Sequence, residues 1–182
     1  MDELDGYPKN LYRAQCDSDT STDTDCGPGI TTPSTTHASL QSGSYSTPPK
    51  TGQSYMIIEK RSNGAVTAKE EAVYLETLHE VVGSPFNTWL LVQRQNYKGF
   101  FNETTGRYLG VGSRELTGDK QVFAQARYHK KNEFFTIEHK KDEFYQLLMP
   151  DGGESLLVVS VADKTSLVRR QDGTTVFKFI EV

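Results

Sequence analysis

From Gln53 onward, apolar and polar residues alternate in short runs broken by turn residues, with no sustained helical period. Such alternation sends one face of each run into a core and the other outward, the pattern of half-buried strands. Three opening runs lie at 55–59, 97–101 and 144–148. Each leads through a turn ending at Gly64, Gly106 or Gly153 into a second run, at 65–68, 108–111 and 155–160. Third runs follow at 73–78, 122–126 and 166–169. The segment 69–82 also places Ala72, Leu75, Leu78 and Val82 at helical spacing. Val73, Leu75, Thr77 and His79 would share one strand face, however, and strands surround the segment, so it is assigned as strand.

The fourth runs, 87–92, 132–137 and 175–180, align without gaps. Each carries an aromatic (Trp89, Phe134, Phe177) and, three residues on, a β-branched aliphatic (Val92, Ile137, Ile180). Three copies of four strands make a repeat architecture, with repeats at about 53–94, 95–141 and 142–182. An open sheet of that size would leave edges and bury little, so closure is expected.

The middle copy holds the most informative stretch, Asn102-x-x-Thr105-Gly106-Arg107-Tyr108-Leu109-Gly110-Val111. Thr-Gly supplies a turn position at positive φ, and a β-favouring run follows at once. This stretch is similar to the Asn-x-x-Ser-Gly-Lys-x-Leu pattern of the β-trefoil superfamily, which includes ricin-B-like lectins and fascin-like domains. Residues 53–182 resemble that superfamily over all three repeats and look closest to small fungal trefoil proteins. The resemblance implies an all-β fold, with six strands in a barrel, six in hairpins capping one end, and Trp89, Phe134 and Phe177 at equivalent positions. It also implies a lectin-like binding module, in which a sugar stacks on Tyr97 or Tyr108 and hydrogen-bonds to Asn102. The alternative is a protein-binding module, a trefoil protease inhibitor or scaffold, presenting loop 82–87 or 114–119. An exposed aromatic with a converging Asn or Asp favours sugar, and a protruding, well-packed loop favours protein. Ricin-type repeats carry Gln-x-Trp before the fourth strand. Here the positions read Asn87-x-Trp89, Asn132-x-Phe134 and Thr175-x-Phe177, which keep the aromatic and relax the polar residue.

Composition changes the picture at the N-terminus. Residues 1–54 carry seven acidic and three basic side chains, whereas 55–182 carry seventeen of each. The net charge of −4 therefore sits in the arm, and the neutral remainder offers no broad basic field for nucleic acid. Of the 38 residues 17–54, 25 are Ser, Thr, Pro or Gly. Such a segment buries too little apolar surface to offset its ordering entropy, so 1–52 is expected to be a flexible acidic arm. The first residues lack the basic and apolar regions of a secretory signal, and no run of about 18 apolar residues exists to span a membrane. The expected location is intracellular, cytoplasmic or nuclear. In a reducing compartment Cys16 and Cys26 read as free thiols, a disulfide closing the short loop between them being the alternative, and two are too few for a structural zinc site.

Catalytic signatures are missing as well. His79, His129 and His139 have no His-x-x-x-His, Asp-x-Asp or Gly-x-Ser-x-Gly pattern beside them, and no glycine-rich phosphate loop is present. The sequence predicts a monomeric, non-enzymatic binding protein with no cofactor and no metal.

Overall fold

The computed structural model describes residues 48–182 except Val82, Thr117, Gly153 and Glu154. Contacts divide the chain into Met1–Gln41 and Ser42–Val182, and everything below belongs to the second unit. The arm as far as residue 47, with Cys16 and Cys26, lies outside the described residues.

Strands follow one another in three sets of four. The first set is β1 (Ser54–Glu59), β2 (Gly64–Lys69), β3 (Ala72–Thr77) and β4 (Thr88–Arg94). The second is β5 (Tyr97–Asn102), β6 (Arg107–Leu116), β7 (Asp119–Ala126) and β8 (Thr136–Lys141). The third is β9 (Phe144–Pro150), β10 (Leu156–Val161), β11 (Leu167–Arg170) and β12 (Phe177–Glu181). No helix among the described residues is long and apolar enough to cross a membrane.

Pairing closes six of these strands into a barrel. β1 pairs with both β12 and β4, β4 with β5, β8 with β9, and β9 with β12. The ring is completed between β5 and β8 by one bridge, in which Lys98 and Phe135 exchange N–H···O bonds of 2.9 Å. The other six strands form the hairpins β2–β3, β6–β7 and β10–β11. Their inner strands meet in a triangle, through Ala72 with Phe123, Gln121 with Val168, and Tyr74 with Ser166. This is a six-stranded barrel capped by a hairpin triplet, the β-trefoil arrangement.

The core aromatics show how pairing decides register. Trp89 lies opposite Tyr55 and Phe177 opposite Tyr145, each partner being the second residue of its repeat's first strand. The matching second residue of β5 is Lys98, and it faces Phe135. The third core aromatic is therefore Phe135 and not the expected Phe134. Trp89, Phe135 and Phe177 are all 0% exposed, whereas Phe134 is only half-buried. Side chains alternate along a strand, so a slip of one residue exchanges core for surface. The gapless alignment set Phe134 against Trp89, but the 3-10 turn Lys131–Glu133 matches Pro85–Asn87 of the first repeat, and two residues past each turn stand Phe135 and Trp89. Each buried ring contributes about 2–3 kcal/mol through apolar burial. Trp89 also donates its indole N–H to the Val66 carbonyl at 2.8 Å, so no polar atom of that side chain is stranded.

Two smaller expectations also shift. The positive-φ position of the first repeat's turn is Asn63 (φ 54°), matching Gly106 (φ 65°), while Gly64 already belongs to β2. Asparagine tolerates this region because its short side chain bonds locally. Of the strand assigned to 69–82 only Ala72–Thr77 is β3: Lys69 ends β2, a turn follows at 70–71, and Leu78–Val81 makes one helical turn.

Candidate functional site

Along β5, Tyr97, Gly99 and Phe101 alternate with Lys98, Phe100 and Asn102 and share the outward face. The segment that joins β7 to β8 packs on this face. His129 fills the place a side chain would take at Gly99: a Cβ built there would lie 2.5 Å from the imidazole Nε2. The same Nε2 lies 3.2 Å from the Lys98 carbonyl, which can only accept, so the proton is assigned to Nε2. The ring stacks on Tyr108 (5.4 Å, 10°) and meets Phe134 edge-on (5.0 Å, 80°). Phe134 in turn stacks on Tyr97 (4.6 Å, 11°), and Tyr108 leans on Phe101 (4.8 Å). Five rings thus form a second apolar cluster outside the barrel.

Burial pushes the His129 imidazole below its ordinary value of 6.5, opposed by main-chain hydrogen bonding at Lys98 and Glu133 and assisted by the Arg94 cation. Arg94 also donates to the His129 carbonyl at 2.7 Å.

Next to this cluster the 3-10 turn Lys131–Glu133 comes against β6 at Gly110. A Cβ there would lie 2.8 Å from the Asn132 carbonyl and 2.9 Å from Glu133 Cγ, so glycine is what permits the approach. Glu133 is 7% exposed and accepts the Lys130 N–H at 3.0 Å. Burial holds its carboxyl above the ordinary value, with the main-chain hydrogen bonds of Lys130 and of Glu133 itself and the Lys130 charge opposing. Between the turn and the β6–β7 hairpin opens a cleft of about 400 Å³, bounded by Tyr108, Gly110, Lys120, Gln125, Asn132 and Glu133. One aromatic wall and several converging polar groups are the ingredients of a small polar ligand site.

A larger groove of about 790 Å³ runs between β3 and the same hairpin, beside Tyr74. Its carboxylates are largely engaged already: Glu76 with Lys69, Glu71 with Arg107, and Glu80 with Thr77. The smaller cleft is the better candidate, because among the described residues the side chains of Asn132 and Lys120 make no hydrogen bond within the protein.

The three residues singled out in the sequence occupy different places. Asn102 is 0% exposed; its Nδ2 donates to the carbonyls of Phe86 (3.0 Å) and Thr88 (3.1 Å), and its Oδ1 accepts from Thr105 N (2.9 Å). It holds the turn that launches β6. Tyr108 stands on the wall of the cleft, with His129 stacked on its ring. Tyr97 lies on the far side of the aromatic cluster, with Phe134 stacked on it. Of the three only Tyr108 lines the cleft; Asn102 is spent on the 85–88 backbone and the β5–β6 turn, and Tyr97 supports the aromatic cluster through Phe134.

His129 and Glu133 were not found from sequence. The available signal was Gly99, a gap between two outward aromatics that something else had to fill. Glu133 was hidden by the register slip, since the residue two before the core aromatic is Glu133 and not the expected Asn132. The matching positions in the other repeats are Asn87 and Thr175. Tyr108 is matched by Ala65 and Val158, which face the equivalent residues of β1 and β9. At these matched positions the second repeat alone pairs an aromatic with a carboxyl, Tyr108 with Glu133. Among the described residues no group of three His, Cys, Asp or Glu side chains is placed to hold a metal ion.

No family model matches the chain, and no curated protein matches its sequence. Solved structures do. The chain is similar to ThreeFoil, a designed threefold-symmetric protein, at 13% identity over 71% of this chain and 99% of that one, with a TM-score of 0.60. It is similar to a Macrolepiota procera ricin B-like lectin in complex with lactose, at 12% identity over 75% of this chain and 91% of that one, with a TM-score of 0.52. A third likeness is to a Polyporus squamosus lectin bound to the epitope Neu5Aca2-6Galb1-4GlcNAc, at 16% identity over 74% of this chain and 50% of that one, with a TM-score of 0.61. At such identities the likeness concerns the fold, which agrees with the closed barrel and hairpin triplet: the chain is a β-trefoil protein.

Proposed function

We propose that this trefoil is a non-catalytic carbohydrate-binding module that holds one sugar in the cleft of its second repeat. The observation that carries the reading is the convergence of Tyr108, Asn132 and Glu133 on one cleft, where the matched positions of the other repeats hold Ala65 with Asn87 and Val158 with Thr175. The Glu133 carboxylate accepts sugar hydroxyls, the Asn132 amide both donates and accepts, and Gln125, whose Nε2 donates to Glu71 at 3.4 Å, accepts through its amide oxygen. The Lys120 ammonium donates from the opposite wall, and Tyr108 gives an apolar surface for ring C–H groups. Asn102 and Tyr97 act behind the site, fixing the turn and the aromatic cluster. The lectins among the structural neighbours support this use of the fold.

The test is a printed glycan array probed with the full chain at neutral pH. Reproducible retention of one sugar class, weakened at least about tenfold by Glu133→Gln or Tyr108→Ala, is expected from loss of one charged hydrogen bond or one wall. A blank array removes the reading, and binding untouched by either change moves the sugar out of this cleft.

One observation favours a protein ligand instead. Phe86 is 42% exposed on a 3-10 turn, Pro85–Asn87, whose carbonyls are braced by Asn102 and Thr104. A rigid loop with an exposed ring suits insertion into a partner's cleft. Inhibition of a protease panel that Phe86→Ala abolishes would favour it.

A further inference from the structure

We propose that His129 is an acid-sensitive latch: while neutral it seats segment 127–134 on β5 and keeps the cleft assembled, and when protonated it releases that segment and dismantles the cleft. The consequence for ligand binding rests on the carbohydrate reading; the latch itself does not.

The geometry favours a neutral ring. One nitrogen donates to the Lys98 carbonyl, one face is covered by Tyr108, and an edge meets Phe134. The ring packs so closely over Gly99 that not even a methyl group fits between them. Main-chain hydrogen bonding at Lys98 and Glu133 favours an imidazolium, but burial outweighs it: 93% of this residue's surface is out of water.

The charged and titratable neighbours make matters worse. From β4, the Arg94 guanidinium lies on the His129 carbonyl. Lys98 and Tyr97 come from β5, Tyr108 from β6, and Lys130 is the next residue. The carboxyl close by, Glu133, is turned to the Lys130 N–H and is itself held toward its neutral form by burial. Among the described residues no carboxylate acts on the ring to stabilise its charge.

The latch bears on the cleft because of sequence distance. Asn132 and Glu133 follow His129 by three and four residues on the same segment, and both line the cleft. Phe134, which caps Tyr97, is next. Unseating the imidazole withdraws Asn132 and Glu133 from the cleft together while leaving β6 and β7 in place.

The experiment is amide hydrogen exchange of the full chain between about pH 7.5 and 4.5, corrected for the intrinsic pH dependence of exchange, with the His129 ring titration followed by NMR. Protection of residues 127–134 should fall at least about tenfold below pH 6.5, tracking the His129 titration, while Ile57 in β1 stays protected. His129→Gln, which keeps a neutral donor, should remove the pH dependence. Equal protection of the segment at both ends of the range overturns the latch, as does loss of the segment and β1 together. Should His129→Gln fail to fold, the coincidence of ring titration and segment exposure in the unaltered chain decides alone. The printed glycan array, read at both ends of the range, separates the two ideas. A blank array with an acid-released segment sinks the carbohydrate reading and keeps the latch. Equal retention at both ends with a protected segment does the reverse.

Discussion

The side-chain amide of Asn102, at the end of β5, holds the carbonyls of Phe86 and Thr88 at 3.0 and 3.1 Å and so ties the second repeat to the turn that leads into β4 of the first. Asn102→Ala leaves both carbonyls and the Thr105 N–H without this partner in a buried place. A loss of about 2–4 kcal/mol is expected. Chemical denaturation of the full chain measures it, and a loss below about 0.5 kcal/mol would deny the amide its bracing role.

Phe134 and Phe135 test the register directly. Phe135→Ala opens a cavity in the barrel and should cost about 3–5 kcal/mol, whereas Phe134→Ala strips a half-exposed stack from Tyr97 and should cost about 1–2 kcal/mol. Melting curves of the two variants give the order. The reverse order would restore Phe134 as the third core aromatic.

Gly99→Ala forces a methyl group against the imidazole 2.5 Å away. The segment must shift outward, at about 1–3 kcal/mol. The distinguishing readout is the His129 ring: its titration should move up toward 6.5 as the packing loosens.

Stability should depend on pH through two neighbours of opposite sign. His129 is held below 6.5, so as acid is added the unfolded chain takes up its proton first. Its contribution is intact above pH 6.5 and is lost as pH falls from there through the folded value. Glu133 is held above 4.5, so the folded chain keeps that proton longer, and its contribution is present in acid and lost as pH rises from 4.5 through the folded value. Denaturation series on His129→Gln and Glu133→Gln should each remove one limb; an unchanged acid limb in His129→Gln would assign that limb to other groups.

Alternation and turn residues gave away the strands, since β1, β5 and β9 begin within a residue of where the pattern places them. Register was harder. Nothing in Asn132-Glu133-Phe134-Phe135 says which phenylalanine faces inward, because both are apolar and the deciding contact, with Lys98, lies 37 positions away in the chain. The site suffered for the same reason. Tyr108 was visible as an aromatic near a turn, but Glu133 looked like one acid among many, and His129 sat in a basic run that reads as a solvated loop. What buries both is a gap at Gly99 and Gly110, and a missing side chain reveals its occupant only in three dimensions.

The Lys98 carbonyl, which completes the barrel through Phe135, also receives His129. A carbonyl oxygen has two lone pairs, so the donors do not compete for the same position. When the imidazole leaves, Phe135 remains bonded and the ring of strands stays shut. Departure forfeits about 1 kcal/mol of net hydrogen bonding plus the stacking of a few rings, a small fraction of what parting the strands would require. The molecule therefore has two separable tiers of order. The upper one can come and go on its own schedule, and the lower one supplies a ready-made surface for it to return to.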